Sequence, residues 1–411
     1  MRKINLILAT LLLLSLVWAS PAYNINYTRL ATLDTSTDLD ALTLTSNTKY
    51  LLTTGTYNID AAITISSSLS NVVFEGSGIN TIINKTTSGG KIFDIAGTTS
   101  DAVEGIEIRN MKLGSSHATK PTEAISISAC QDCIVEHVDI RIASTNVGIL
   151  LITECIRTRV SNNYIEINEG RGIYIQGGGV SGEVAFDNII ENNNIYSIAA
   201  SSYLIELWEQ VEKTTIKGNH LKATSTSQGI AVRAWADGGD PAYNIIYGNI
   251  VEVGANSGIN IEGSDYNVVT GNFVTGAATG INMSAGGSDN ANYNTVSGNV
   301  VRNSTTGIII VGNYNNVSGN IIVGGTTGIS CSGSSSYWSI TGNFVQGAST
   351  RNIYINNCGN GNINGNTVDN SASANEIEVV GSENIVTDNS AIAGTIDTAS
   401  CTDCIIADNN I

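Results

Sequence analysis

An unusual set of outward side chains able to do chemistry falls between residues 172 and 262. Read as alternating strands, that stretch points Tyr174 and Gln176 outward, then Glu206 and Trp208, then Ala231 and Arg233, then Asn260 and Glu262. The segment AWADGGDPAYN adds Trp235, Asp237 and Asp240, with Glu209 and Glu212 on the other side. Aromatic faces beside carboxylates and an arginine suit a sugar, because rings stack on pyranoses while polar groups orient hydroxyls. Tyr174, Gln176, Trp208 and Trp235 are the expected substrate-binding residues. Hydrolysis would need two carboxylates about 5–10 Å apart, and Glu206, Glu209, Asp237, Asp240 and Glu262 supply candidates. Proton abstraction from a uronate would need a basic group, for which Arg233 is the one plausible residue. Glu206, Arg233, Asp237 and Glu262 are thus the catalytic candidates. Asp237 and Asp240 are candidates for Ca²⁺, and no other cofactor or metal is expected. The plainer alternative is that Trp208 and Trp235 cover the apolar base of long loops. Binding without catalysis is the favoured expectation, since His117, His137 and His220 stand isolated.

Composition bounds the elements that must position these groups. The 48 Asn and 43 Gly far outnumber the 19 Lys and Arg, and few good helix formers recur at helical spacing. Short runs of Ile and Val, split by Gly and Asn, indicate many short strands. A net charge of −17 argues against nucleic acid, whose phosphates need Lys and Arg. It also disfavours polyanionic sugars unless a cation reverses the local field. Residues 1–22 read as an export signal: Met1-Arg2-Lys3 is basic and residues 4–17 are uncharged and apolar, too short for a membrane span. The expected location is therefore secreted or cell-surface, or periplasmic. Residues 23–49 would form an N-terminal cap and 50–411 the main domain.

That domain is repetitive. An aliphatic anchor is followed by Asn three positions on, usually with another aliphatic two further. The series runs Val160/Asn163, Ile190/Asn193, Ile216/Asn219, Ile246/Asn249, Val269/Asn272 and Val296/Asn299. It continues through Val317/Asn320, Ile340/Asn343, Ile363/Asn366, Val386/Asn389 and Ile406/Asn409. Val135 and Ile108 fit without the Asn. A period near 25 residues without helices has one compact solution. Each repeat is a coil of an all-β, single-stranded right-handed parallel β-helix, with about 13–14 coils. Like strands stack about 4.8 Å apart. The Asn column should form an amide ladder, with Asn tolerating a left-handed turn and the preceding Gly relieving crowding.

These motifs resemble those of the pectate-lyase-like superfamily of right-handed parallel β-helices, over roughly residues 50–411. YLLTTGTYNIDAAITISSSLSNVVFEGSGINTII resembles that superfamily's opening coils, tailspike-type members included. The later Asn-Gly coils resemble repeats of periplasmic copper-reductase accessory proteins and many surface proteins. The resemblance implies the fold strongly and the activity weakly. The superfamily's Arg-Ile-Lys, Asn-Thr-Asp, Asp-Asp and His-Gly motifs do not occur here.

Seven cysteines include two CxxC pairs, 130/133 and 401/404, eleven coils apart and so unable to share a zinc ion. Cys130, Cys155, Cys358 and Cys401 fall in one column. Cys130 and Cys155, on successive coils, lie within disulfide range. They would bond, stack as thiols, or simply pack as small apolar groups. Cys331 reads as core.

A further outward column, Ile250, Phe273, Val300, Ile321 and Phe344, is apolar. It suggests a surface for self-association unless loops cover it. The last residue lies in the strand pattern, so the C-terminal coil is expected to end uncapped. The combined expectation is an exported β-helix presenting a surface for polysaccharide or cell-envelope contact. A carbohydrate-active enzyme (lyase, hydrolase or epimerase) on coils 172–262 and a purely structural rod are the alternatives.

Overall fold

The computed structural model describes residues 27–142, 147–168, 170–178, 184–198, 202–224, 226–234, 239–254, 256–286, 289–369, 375–392 and 395–410. Among them every regular element is a β-strand. A coil consists of three strands, as in Thr295–Ser297, Val300–Arg302 and Thr306–Ile310. Like strands pair in parallel with those of the next coil, keeping Val269, Val296 and Val317 in one column. First and second strands join across the Gly-Asn bend in a ladder of 29 strands; third strands form a ladder of 14. Fourteen third strands make fourteen coils, the upper end of the expected range.

The anchors from Val160 to Val386 are buried and fill the interior with the inward residues of the third strands, such as Ile281, Ile308 and Ile329. At the N-terminal end Arg29–Leu33 adds a parallel strand to Thr48–Leu52. Leu39 is buried, and Leu42 and Leu44 pack against the same core, so this segment covers the first coil. At the other end Ile406 keeps its anchor position but is 49% exposed. Residues 1–26, with the expected signal, and Ile411 lie outside the described residues.

The amide ladder runs coil by coil through Asn163, Asn193, Asn219, Asn249, Asn272 and Asn299. It continues through Asn320, Asn343, Asn366, Asn389 and Asn409. Each Nδ2 donates to the Oδ1 of the next Asn at 2.9–3.0 Å. The same Oδ1 accepts the preceding coil's backbone N–H, as from Asn299 to Asn320 at 2.9 Å. The ladder is buried from Asn163 to Asn389 and half-buried at Asn409.

One expectation for these residues needs correction. None of the ladder Asn takes the left-handed conformation; the residue before it does. That residue is itself asparagine before Asn163 and Asn193, at positions 162 and 192. It is glycine before Asn219, Asn249, Asn272, Asn299, Asn320, Asn343 and Asn366, and aspartate before Asn389 and Asn409. The two roles are separate. The turn needs a residue tolerant of positive φ, whereas the inward position needs a side chain that both donates and accepts. Two positions before the anchor a second inward series appears: Asn244, Asn267 and Asn294 each donate a backbone N–H to the next Asn Oδ1, at 2.8–3.0 Å.

The cysteines also depart from expectation. Cys130 and Cys155 are stacked on successive coils, Ile156 N donating to Cys130 O at 2.8 Å. They are nevertheless not bonded to each other. Asp132 turns the chain through positive φ and brings Cys133 back to Cys130, and those two form a disulfide. Cys401 and Cys404 pair in the same local way. Cys155 is a buried free thiol directed at Ile127 O and Ile152 O. Burial, the larger influence, pushes its pKa up to about 12.

Candidate functional site

The third strands Gly170–Gln176, Ser202–Trp208, Gln228–Arg233 and Ser257–Glu262 bring the sequence candidates together in register. Tyr174 stands opposite Glu206, which stands opposite Ala231. Trp208 stands opposite Arg233, and Arg233 opposite Glu262. The expectation of an open groove fails, however. Tyr174 is only 8% exposed, Glu206 and Ala231 are fully buried, and Asn260 is 4% exposed. Tyr174 packs on Val147 and Leu150 in a small apolar cluster outside the core, with Ile152 and Trp208 against it. The column of Tyr174, Glu206, Ala231 and Asn260 points away from the interior as the alternation requires but is covered, while Gln176, Trp208, Arg233 and Glu262 are half-buried.

The polar groups beneath are committed to one another. Glu206 is ion-paired to Arg171 on one side and to Arg233 Nη1, at 3.3 Å, on the other. Arg233 Nε also donates to Glu262 Oε2 at 2.8 Å, and its Nη1 to the Tyr203 hydroxyl at 2.9 Å. The guanidiniums lie over rings: Arg171 is 4.3 Å from the Tyr174 centroid, and Arg233 is 5.2 Å from that of Trp208. This is a closed cation–π and ion-pair network. Burial opposes the Arg233 charge, but the bond to Glu262 and the surrounding acids hold its pKa above the usual value. Such a guanidinium cannot serve as a base. Two of the five carboxylates put forward for hydrolysis, Glu206 and Glu262, are both ion-paired to Arg233. Gln176 is half-buried, and its carbonyl accepts from Thr153 N. Glu209 sits on the following turn with positive φ. Trp235 and Asp237 lie outside the described residues.

Asp240 is exposed as a residue, yet its carboxyl is raised to about 6, first by the atoms packed around it and then by the Asp289 and Asp265 charges. Among the described residues no group of three or more His, Cys, Asp or Glu side chains is arranged to hold a metal ion. A carboxyl whose folded pKa exceeds its unfolded value stabilises the fold below about pH 4, and that contribution is lost as pH rises through about 6. The difference in melting temperature between wild type and Asp240→Asn should therefore shift across pH 4–7, wild type losing ground as pH rises. A constant difference would mean that neither burial nor the acidic neighbours raise the Asp240 carboxyl.

The sequence candidates missed an extended exposed aromatic feature among the described residues. Tyr243, Tyr266, Tyr293, Tyr314 and Tyr337 occupy the position three before the anchor on five successive coils. Adjacent rings stack with centroids 4.6–5.0 Å apart and planes within 10° of parallel. All five are 43–56% exposed. Ring faces inside the stack meet each other, so edges and hydroxyls form a ridge about 20 Å long. All five residues have φ of 56–60°. A bulky residue is unfavourable there. The same column holds Asp132, Arg157, Asp187 and Lys213 on earlier coils and Asn360, Glu383 and Asp403 on later ones, all with positive φ. The turn therefore does not require tyrosine. The recurring Tyr-Asn dipeptides at 243, 266, 293 and 314 were the available signal.

Beside the ridge, the first strands of three coils turn out Thr295 and Ser297, Asn316 and Ser318, and Ser339 and Thr341, all half-buried. On its other flank Asn313 N donates to Asn292 Oδ1 and Ser336 N to Asn313 Oδ1. Beyond the Gly-Asn bend, Ile250, Phe273, Val300, Ile321 and Phe344 stand in register. Ile250, Phe273 and Ile321 are 36–43% exposed, so this apolar column is open to solvent. One face thus runs from an aromatic ridge across a strip of hydroxyls and amides to an apolar edge.

Parallel strands wound around one apolar interior define a right-handed parallel β-helix protein. Solved structures share this architecture. The A-module of the mannuronan C-5 epimerase AlgE6 of Azotobacter vinelandii gives a TM-score of 0.55 at 15% identity, over 84% of this chain and 91% of that one. The tailspike receptor binding domain of siphovirus 9NA gives 0.56 at 11% identity, over 92% of this chain and 76% of that one. No protein-family model matches the chain, and no curated protein matches it in sequence. At these identities the likeness establishes the fold and leaves the activity open.

Proposed function

We propose that the chain is an exported glycan-binding rod that does not turn its ligand over, and that its binding face is the tyrosine ridge with the adjoining hydroxyl strip. The observation that carries this reading is the five-tyrosine stack. Large aromatic side chains are held in an unfavourable backbone conformation and left exposed, where other residues satisfy the same turn. Strain of this kind concentrates at functional sites. Between residues 292 and 341 the ridge and its flanking strips hold no charge, in a chain of net charge −17. Tyrosine edges with rows of hydroxyls and amides match a neutral, hydroxyl-rich polymer, and not a polyanion. Two proteins with this fold are named for mannuronan epimerisation and for receptor binding, so a carbohydrate-related role is in keeping with them. Against catalysis stand the burial of Glu206 and the clamped Arg233.

The test is retention on immobilised neutral and uronate polysaccharides, with product release followed in parallel. Wild type should be retained by a neutral glycan. Tyr293→Ser with Tyr314→Ser should weaken retention at least about tenfold, equivalent to about 1.4 kcal/mol, without changing the melt. Retention unaltered in the double variant would sink the ridge as the site. Released unsaturated or reducing ends would restore the enzyme reading.

The open apolar column favours a second reading, association between rods. Phe273→Ser with Phe344→Ser should then lower the concentration dependence of the sedimentation coefficient. No change would leave the column without that role.

A further inference from the structure

Two buried sulfurs outside both sites lie against each other. Cys331 ends the strand Thr327–Cys331, and Cys358 belongs to Arg351–Gly359 on the next coil. The two strands pair in register, Ile329 with Ile353 and Cys331 with Ile355. Asn357 then takes positive φ, and Cys358 turns from the exposed Asn356 and Asn357 into the interior. Its Sγ comes to 2.7 Å from Cys331 Sγ, with the two residues 1% and 0% exposed. Nonbonded heavy atoms settle at roughly 3.5–4.0 Å. A disulfide needs about 2.05 Å. The pair is therefore already inside nonbonded contact, and well under 1 Å of side-chain movement completes a bond.

We propose that Cys331 and Cys358 form a disulfide that staples two successive coils. It would differ in kind from Cys130–Cys133 and Cys401–Cys404, which each span three residues and close only their own turns. The bond forms by thiol–disulfide exchange with a protein disulfide of the oxidase class. One cysteine thiolate attacks the donor's S–S bond, giving a mixed disulfide and releasing one donor thiolate. The second cysteine attacks the mixed disulfide, forming the Cys331–Cys358 bond and releasing the other. Two electrons pass to the donor, which ends as a dithiol once it takes up the two protons the cysteines gave up. Because both sulfurs are sealed in the finished stack, exchange occurs while the coil of residues 351–359 is still undocked. Docking then shields the bond from reductants. Burial also pushes the Cys331 thiol far above its ordinary range, so an unbonded Cys331 would be inert once sealed.

Counting thiols decides the matter. Seven cysteines less two local disulfides leave three thiols if the pair is reduced, and one, Cys155, if it is bonded. Full-length protein refolded in a glutathione redox buffer, then denatured and alkylated without reductant, should take up one label per chain. Proteolysis should yield a linked 331–358 peptide that disappears on reduction. Cys358→Ser should raise the count from one to two. Three labels in the wild type, with Cys331 and Cys358 both alkylated while the two local pairs resist, would overturn the proposal. So would a linked peptide joining either residue to Cys155.

Discussion

Replacing Asn320 with alanine should destabilise the middle of the rod by about 4 kcal/mol. The buried Asn320 side chain takes part in five hydrogen bonds, one of them from Nδ2 to Ser318 O at 3.2 Å. Its Nδ2 donates to Val296 O and Asn343 Oδ1, both at 2.9 Å. Its Oδ1 accepts from Asn299 N at 2.9 Å and Asn299 Nδ2 at 3.0 Å. Alanine strands the Asn299 backbone N–H and takes the side-chain donor from Val296 O, whereas Asn299 Nδ2 keeps Val269 O and Ser297 O as acceptors; a stranded buried polar group costs about 1–3 kcal/mol. Because coils unfold as coupled neighbours and not strictly all-or-none, the loss is best measured by hydrogen exchange of the Asn299 and Ile321 amides. A loss below about 1 kcal/mol would mean that the ladder contributes little beyond the strand pairing. A half-buried outward residue such as Thr341 should tolerate alanine within about 0.5 kcal/mol.

Glu206→Ala should cost about 3–5 kcal/mol, the range for removing one partner of a buried ion pair. Glu206 is the only carboxylate shared by Arg171 and Arg233 among the described ion pairs. Its loss leaves Arg233 held by Glu262 alone on the acidic side and Arg171 facing aromatic rings without its counter-charge. Glu252, half-buried with its side chain 35% exposed and paired with Lys222 and His220, supplies the contrast. Glu252→Ala should change stability by no more than about 1 kcal/mol, as surface pairs do. Equal effects at the two positions, read from thermal melts at matched ionic strength, would show that the Arg171–Glu206–Arg233 network is solvated. A catalytic Glu206 would instead lose turnover with its stability preserved.

Much of the scaffold was legible because it is periodic. An aliphatic side chain that recurs every coil can only be stacked core, and an inward asparagine at fixed offset can only be satisfied by its neighbours in the stack. The division of labour at the bend was not legible: Asn249 or Asn366 reads as the turn residue until the backbone shows that Gly248 and Gly365 carry the positive φ. The candidate site was less legible still. Alternation assigned Tyr174, Glu206 and Arg233 to the outward side, and they are there. Alternation is blind to packing along the outward face, so the apolar cluster that Tyr174 forms with Val147 and Leu150 of the neighbouring strand was not foreseen. The tyrosine ridge was overlooked because its members sit at turns, where Tyr293 and Lys213 look like unrelated loop residues until register places them in one column.

The sequence by itself determined the parallel β-helix, its coil spacing and its Asn ladder, since period-locked side chains have no other way to bury apolar surface and satisfy amides. Only the tertiary structure decided which outward residues meet solvent and which sulfurs meet. Cys130 turns back to Cys133 and away from its stacked neighbour Cys155. Cys331 meets Cys358 through a twist at Asn357. Such choices rest on backbone direction at single turns and on cover from other segments, neither of which a repeat pattern encodes.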